Sequence, residues 1–242
     1  MILSTRRRFF RLAACGLLVP AAPSLILPSQ SRPGADSNYN ISISGGGGST
    51  TTLDPATLAA NQSLSNGNLT NTATSSANAI TRSIASHATG KYYFEFTPAA
   101  SGSIAGIAVG IGTASMINTD YLTQIPDSVG VGYGGTTWNG SGLTGTTTCP
   151  ALVAAHVFGI AVDFGATLIW VLDITGGTGQ WNANATANPA TGVNGCNFSA
   201  AVSSGSGNFE AAVTCSVNTN SVTFNFGGSA YSGSVPSGFG NM

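Results

Sequence analysis

Charge is what this chain lacks most. Asp, Glu, Lys and Arg together supply 6% of its 242 residues, with seven basic side chains against eight acidic ones. Lysine occurs once, at Lys91, and glutamate twice, at Glu95 and Glu210. Arg6, Arg7, Arg8 and Arg11 crowd the first turn of the sequence, so beyond them only Arg32, Arg82 and Lys91 face eight acids, a net charge of −5. Phosphate neutralisation needs clustered Lys and Arg, which argues against nucleic acid as a partner. The two histidines, His87 and His156, stand alone, and no Cys-x-x-Cys or Cys/His spacing suggests a metal. No cofactor is implied. The one long apolar stretch, from Leu12 to about Leu27, is broken by Pro20 and Pro23 and falls short of the ~20 uninterrupted residues of a membrane span.

Acid pairs are missing as well. Glycoside hydrolysis uses two carboxylates roughly 5–9 Å apart, yet no Asp or Glu here lies two or four residues from another. Asp163 and Asp173 end two neighbouring expected strands and offer the one pair able to approach, although strand-end carboxylates commonly bind backbone amides. Gly205-Ser206-Gly207 is a broken form of the Gly-x-Ser-x-Gly turn without its strand and helix. The chain therefore reads as a non-enzyme, with no catalytic residue assigned.

What is abundant is glycine, 33 residues of it, among many Ser, Thr, Asn and Ala. Such a composition disfavours long helices and favours short strands joined by turns. The clearest strands are 157–164 and 168–174. Phe158, Ile160, Val162 and Phe164 share one face of the first; Leu168, Trp170, Leu172 and Ile174 form a row at period two in the second, opposite Ile169, Val171 and Asp173. With a turn at Gly165-Ala166-Thr167, they predict an antiparallel hairpin whose Trp170 row lies in the core. Further strands are expected around 65–71 (turning at Asn66-Gly67), 79–83, 91–97, 104–113, 129–133, 209–216 and 221–226. On 91–97, Tyr92, Phe94 and Phe96 share one face and Tyr93 and Glu95 the other. This spacing suits an all-β sandwich of two antiparallel sheets.

The order of these segments resembles the SPRY (B30.2) domain. Gly90-Lys91-Tyr92-Tyr93-Phe94-Glu95, Ile107-Ala108-Val109-Gly110-Ile111, Ser128-Val129-Gly130-Val131-Gly132-Tyr133, the late hairpin, Asn225-Phe226-Gly227 and Pro236-Ser237-Gly238-Phe239 are similar to that family's successive motifs. Leu64 to Leu69 and Asn188-Pro189-Ala190-Thr191-Gly192 resemble its bacterial and phage branch. The resemblance implies a concanavalin-like sandwich acting as a recognition module, usually for a protein segment, with carbohydrate as a second ligand class. It also implies that long loops at one end carry the contacts.

Residues 1–22 form an export signal, and Thr5-Arg6-Arg7-Arg8-Phe9-Phe10-Arg11 resembles a twin-arginine motif with Arg6 and Arg7 as the pair. Residues 23–51, ending in Gly45-Gly46-Gly47-Gly48, read as a flexible linker, and residues 52–242 as the folded domain. This arrangement places the mature chain in the periplasm, at the cell surface or outside the cell. There Cys149, Cys196 and Cys215 would make one disulfide and one free thiol, in any of three pairings.

Binding residues are sought where aromatics adjoin amides in Gly-rich loops. Tyr133, Trp138 and Asn139 form one such group, Trp181 and Asn182 another. Aromatic faces beside amides suit sugar rings or an apolar protein patch, while Trp138 and Trp181 equally suit covers over the sandwich ends. Two rival readings remain: a surface or tail-fibre-like structural protein, from the Gly/Ser/Thr/Asn-rich composition, and a sandwich-fold glycan-processing enzyme.

Overall fold

The computed structural model describes residues 50–101, 103–134, 138, 140, 148–204 and 207–242. Twelve strands are formed: β1 (Gln62–Ser65), β2 (Thr70–Ala73), β3 (Ile80–His87), β4 (Lys91–Pro98), β5 (Ile107–Thr113), β6 (Ser128–Gly132), β7 (Phe158–Asp163), β8 (Leu168–Asp173), β9 (Cys196–Asn197), β10 (Phe209–Cys215), β11 (Ser221–Asn225) and β12 (Gly240–Asn241), with one short helix, α1 (Ser199–Ser204), before β10. The larger sheet has the order β1-β2-β11-β4-β7-β8-β9, with β12 lying parallel against β4; the smaller has the order β3-β10-β5-β6. All other pairings are antiparallel. The all-β sandwich is thus as the alternating pattern predicts.

Between the sheets lies one core. Phe94 and Phe96 of β4, Phe158, Ile160 and Val162 of β7, and Val222 and Phe224 of β11 meet Val109, Ile111, Val129, Val131, Phe209 and Val213 of the smaller sheet, all at 2% exposure or less. Phe96 and Phe158 stack at 5.2 Å, as do Phe224 and Phe226. Each ring buried this way contributes about 1.5–3 kcal/mol.

The hairpin departs from expectation in one respect. Its register pairs Ile160 with Val171, Val162 with Ile169 and Ala161 with Trp170, and directly opposed residues share a face. The row facing the other sheet is therefore Ile169 and Val171, not Leu168, Trp170 and Leu172. Four residues, 164–167, link the strands instead of three, which exchanges the faces of the second strand. Asp163 shapes that turn by accepting from Ala166 N, and Thr167 turns it with φ of 54°. Trp170 is still fully buried, but on the outer face of the larger sheet, where it packs with Tyr93 and Ala161 under Trp181, Tyr231 and Phe239. The sandwich thus has a second, smaller core on its outside, roofed by residues 174–195 and 226–239.

Candidate functional site

The loop after β6 and the loop after β8 meet at one residue, Asn182. It is fully buried and has φ of 50°. Its Oδ1 accepts from Trp138 Nε1 and from Val171 N, both at 2.9 Å. Its Nδ2 donates to Asn194 O at 3.0 Å and Ile169 O at 3.4 Å, and its own carbonyl accepts from Thr148 Oγ1 at 2.7 Å. β9 covers β8 only as far as Ile169. Beyond that point the Asn182 amide stands in for the missing strand, satisfying backbone groups that an open edge would leave bare. Asn combines the two needs here, since it tolerates the left-handed region and carries both a donor and an acceptor.

Of the residues singled out from sequence, Trp138 and Asn182 are brought together, but inside. Trp138 is 3% exposed and belongs to the inter-sheet core with Cys149 and Leu152. Neither side chain is open to solvent in this conformation. Trp181 is half-buried, edge-on to Tyr93 at 6.4 Å. Tyr133 is the exposed one, at 53%, on the same β6–β7 loop as the exposed Val153. Asn139, Arg6 and Arg7 lie outside the described residues.

The carboxylates do not form a pair. Asp163 is opposite Leu168 and Asp173 opposite Phe158, so they sit at opposite ends of the hairpin; in an antiparallel pair, strands that each end in Asp hold those ends apart. Asp163 meets Lys91 Nζ at 3.1 Å. Asp173 meets His156 Nδ1 at 2.9 Å and accepts from Thr175 N and Gly176 N. Nor is any of the three cysteine pairings formed: Cys149 and Cys215 are thiols, each pushed up to about 12 by burial, with the neighbouring Cys196 adding to the rise at Cys149. Among the described residues no cluster suits a metal ion, and no helix is long and apolar enough to cross a membrane.

Sequence reasoning missed Glu95. It is 2% exposed on the outer face and makes no salt bridge to any described residue. Instead Tyr93 Oη, Ser232 N and Gly233 N donate to it at 2.7–2.9 Å, anchoring the 226–239 segment. Burial, and then the nearby Glu95 charge, raise the Tyr93 and Tyr231 hydroxyls well above the ordinary phenol range. The sequence carried little signal for it: on the outer face of β4 Glu95 alternates with Lys91, Tyr93 and Thr97, a set that reads as solvated until the 226–239 segment is seen to fold over it.

Two antiparallel sheets in this strand order define a β-sandwich of the SPRY type. The chain is similar to the solved SPRY domain of human HERC1, with 13% identity, 71% of this chain and 96% of that chain covered, and a TM-score of 0.52. It is also similar to the PSpry domain of TRIM65 (14% identity, 73% and 92% covered, TM-score 0.48) and to another human SPRY domain (13%, 70% and 98%, 0.45). At such identities the likeness is one of fold. No family model matches the chain, and no curated protein matches it.

Proposed function

We propose that this protein is an exported, non-catalytic recognition module that binds a protein segment through the loops joined at Asn182. The observation that carries the reading is the division of labour there. Trp138 and Thr148 are tied to Asn182 from inside, and Tyr133 and Val153, before and after them in the chain, are left exposed. An exposed aromatic near anchored residues suits binding, because less entropy is lost on contact. The nearly uncharged chain favours apolar and hydrogen-bonded contacts over ion pairs. Catalysis is disfavoured by the separation of Asp163 from Asp173. Residues 1–22 would direct export by the twin-arginine route, and residues 23–51 would tether the sandwich, in the periplasm or beyond.

The test is a peptide-library selection on the mature protein, followed by affinity measurements on Tyr133→Ala and Val153→Ser. At least a tenfold loss with an unchanged melting temperature is expected. Selected peptides that bind both variants as well as the parent would remove the loop site. Export is checked separately: Arg6→Lys with Arg7→Lys should leave the precursor in the cytoplasm, and processing that continues unchanged would exclude the twin-arginine route.

A further inference from the structure

The outer face of the larger sheet carries a lattice of hydroxyls that the loop site does not use. The register aligns Ser63 with Thr72 and Ser221 in one row, and Ser65 with Thr70, Thr223 and Thr97 in the next. Their chain neighbours Asn71, Ala73, Val222, Phe224 and Phe96 are buried, so all seven hydroxyls stand on the solvent side. Strand spacing sets them about 4.8 Å apart across the sheet and about 6.7 Å along it. Thr70 bonds Thr223 and Thr72 bonds Ser221, each at 2.9 Å, leaving each hydroxyl further bonding capacity. The Thr97 hydroxyl has no side-chain hydrogen bond to any described residue.

Where the second row ends, a cavity of about 470 Å³ opens, whose polar lining is Thr97, Thr223, Asn225, Ser232 and Glu95 and whose apolar lining includes Leu69 and Val157, a mixture that suits the polar edge and apolar face of a sugar ring. Its size is that of a small-molecule site. Glu95 is one of the lining residues; its Oε2 accepts one backbone bond, from Ser232 N, and a carboxylate oxygen can take a second. No Lys or Arg lines it, and no Trp or Tyr.

From the lattice and the cavity, which share Thr97 and Thr223, we infer a binding face for a neutral polysaccharide. One sugar unit occupies the cavity, its hydroxyls donating to Glu95 and exchanging bonds with Thr97 and Thr223, and the chain continues over the hydroxyl rows. The chemistry selects this occupant. Anionic polymers would meet a buried carboxylate with no Lys or Arg in the cavity lining, and an apolar partner would cover Ser65 and Thr97 unbonded and leave the other five hydroxyls with only the bonds they make within the sheet. A polyol both gives and accepts hydrogen bonds at a repeating spacing. A single carboxylate makes the site one of binding without hydrolysis.

Affinity gel electrophoresis of the full protein through neutral β-1,3-glucan, α-glucan and galactomannan tests this, with an anionic polymer as control. Retardation by at least one neutral polymer is expected, weakened at least tenfold in Thr97→Val/Thr223→Val and unchanged in Tyr133→Ala. Valine keeps strand preference at these positions; should the double variant melt early, Thr97→Val alone, which removes a hydroxyl bonded to no described residue, serves instead. No retardation on any neutral polymer, retardation indifferent to the valines, or retardation by the anionic polymer alone overturns the proposal. Loss in Tyr133→Ala moves the glycan to the loops and overturns it too. A dimer seen in sedimentation and abolished by the valines, without polymer binding, assigns the face to a second copy.

Discussion

Asn182 does at one position what a strand would do at several, and that makes its replacement costly. In Asn182→Ala, Trp138 Nε1 and Val171 N lose their acceptor while remaining buried, and a side chain suited to φ of 50° is lost. Unpaired buried donors cost about 1–3 kcal/mol each, so a total destabilisation of about 3–5 kcal/mol is expected. Chemical denaturation measures it, and a loss below about 1 kcal/mol would mean that water replaces the amide. His87 makes an opposite kind of residue-scale case. Its ring stacks on Tyr92 at 3.7 Å, its Nε2 is buried with no partner among the described residues, and burial lowers its pKa below 6.5. The unfolded chain then binds more protons than the folded one, so this group's stabilising contribution is present above pH 6.5 and lost as pH falls through the folded value. Glu210 works against it, since burial raises its carboxyl, an effect that Arg82 partly offsets. The comparison of parent with His87→Phe isolates the histidine: the variant should lose less melting temperature between pH 7.5 and pH 5. Parallel curves would show that His87 does not couple to folding.

At the scale of elements, the hairpin shows what period-two reading can and cannot supply. Alternation placed both strands and the face of β7, because each residue's side follows from its own neighbours. The face of β8 depends on whether the turn holds three or four residues, and no residue in β8 carries that information. The same holds for Trp181, whose position depends on the 174–195 loop folding back over β8, and for Asn182, which looks like an ordinary loop amide until β9 is seen to stop short. The hydroxyl rows, by contrast, were present in the sequence at i and i+2 in Thr70/Thr72 and Ser221/Thr223, but only the register aligned them. Gly159 gives this scale its prediction. A Cβ there would lie 2.5 Å from Tyr93 Oη, the group that donates to Glu95. Gly159→Ala therefore pushes on the outer core from the centre of β7, with overpacking costs of about 1–3 kcal/mol. The melting temperature should fall, and Tyr93→Phe in the same chain should recover part of the loss by removing the clashing oxygen. No recovery would place the strain in the backbone.

For the molecule as a whole, scarcity of charge governs how it responds to solvent. The ion pairs among the described residues are Arg82–Glu210 and Lys91–Asp163, and each has at least one side chain exposed by 13% or less. Such partly buried pairs are screened little by salt, whereas exposed pairs and long-range repulsion respond strongly. Residues 52–242 hold two basic and seven acidic side chains, and a net charge of −5 over 191 residues leaves little repulsion to relieve. Stability at pH 7 should therefore shift by less than about 2 °C in melting temperature between roughly 0.05 and 1 M sodium chloride, since a domain of this size moves only about 2–4 °C per kcal/mol. Binding should follow the same rule. Contacts made by Tyr133, by Val153 and by hydroxyls release no counterions, so affinity for a selected peptide or a neutral polymer should hold within about twofold across that range. A steep fall with salt would expose an ionic contact, and with only Arg82 and Lys91 as cations within the sandwich, substitution of each in turn would find it.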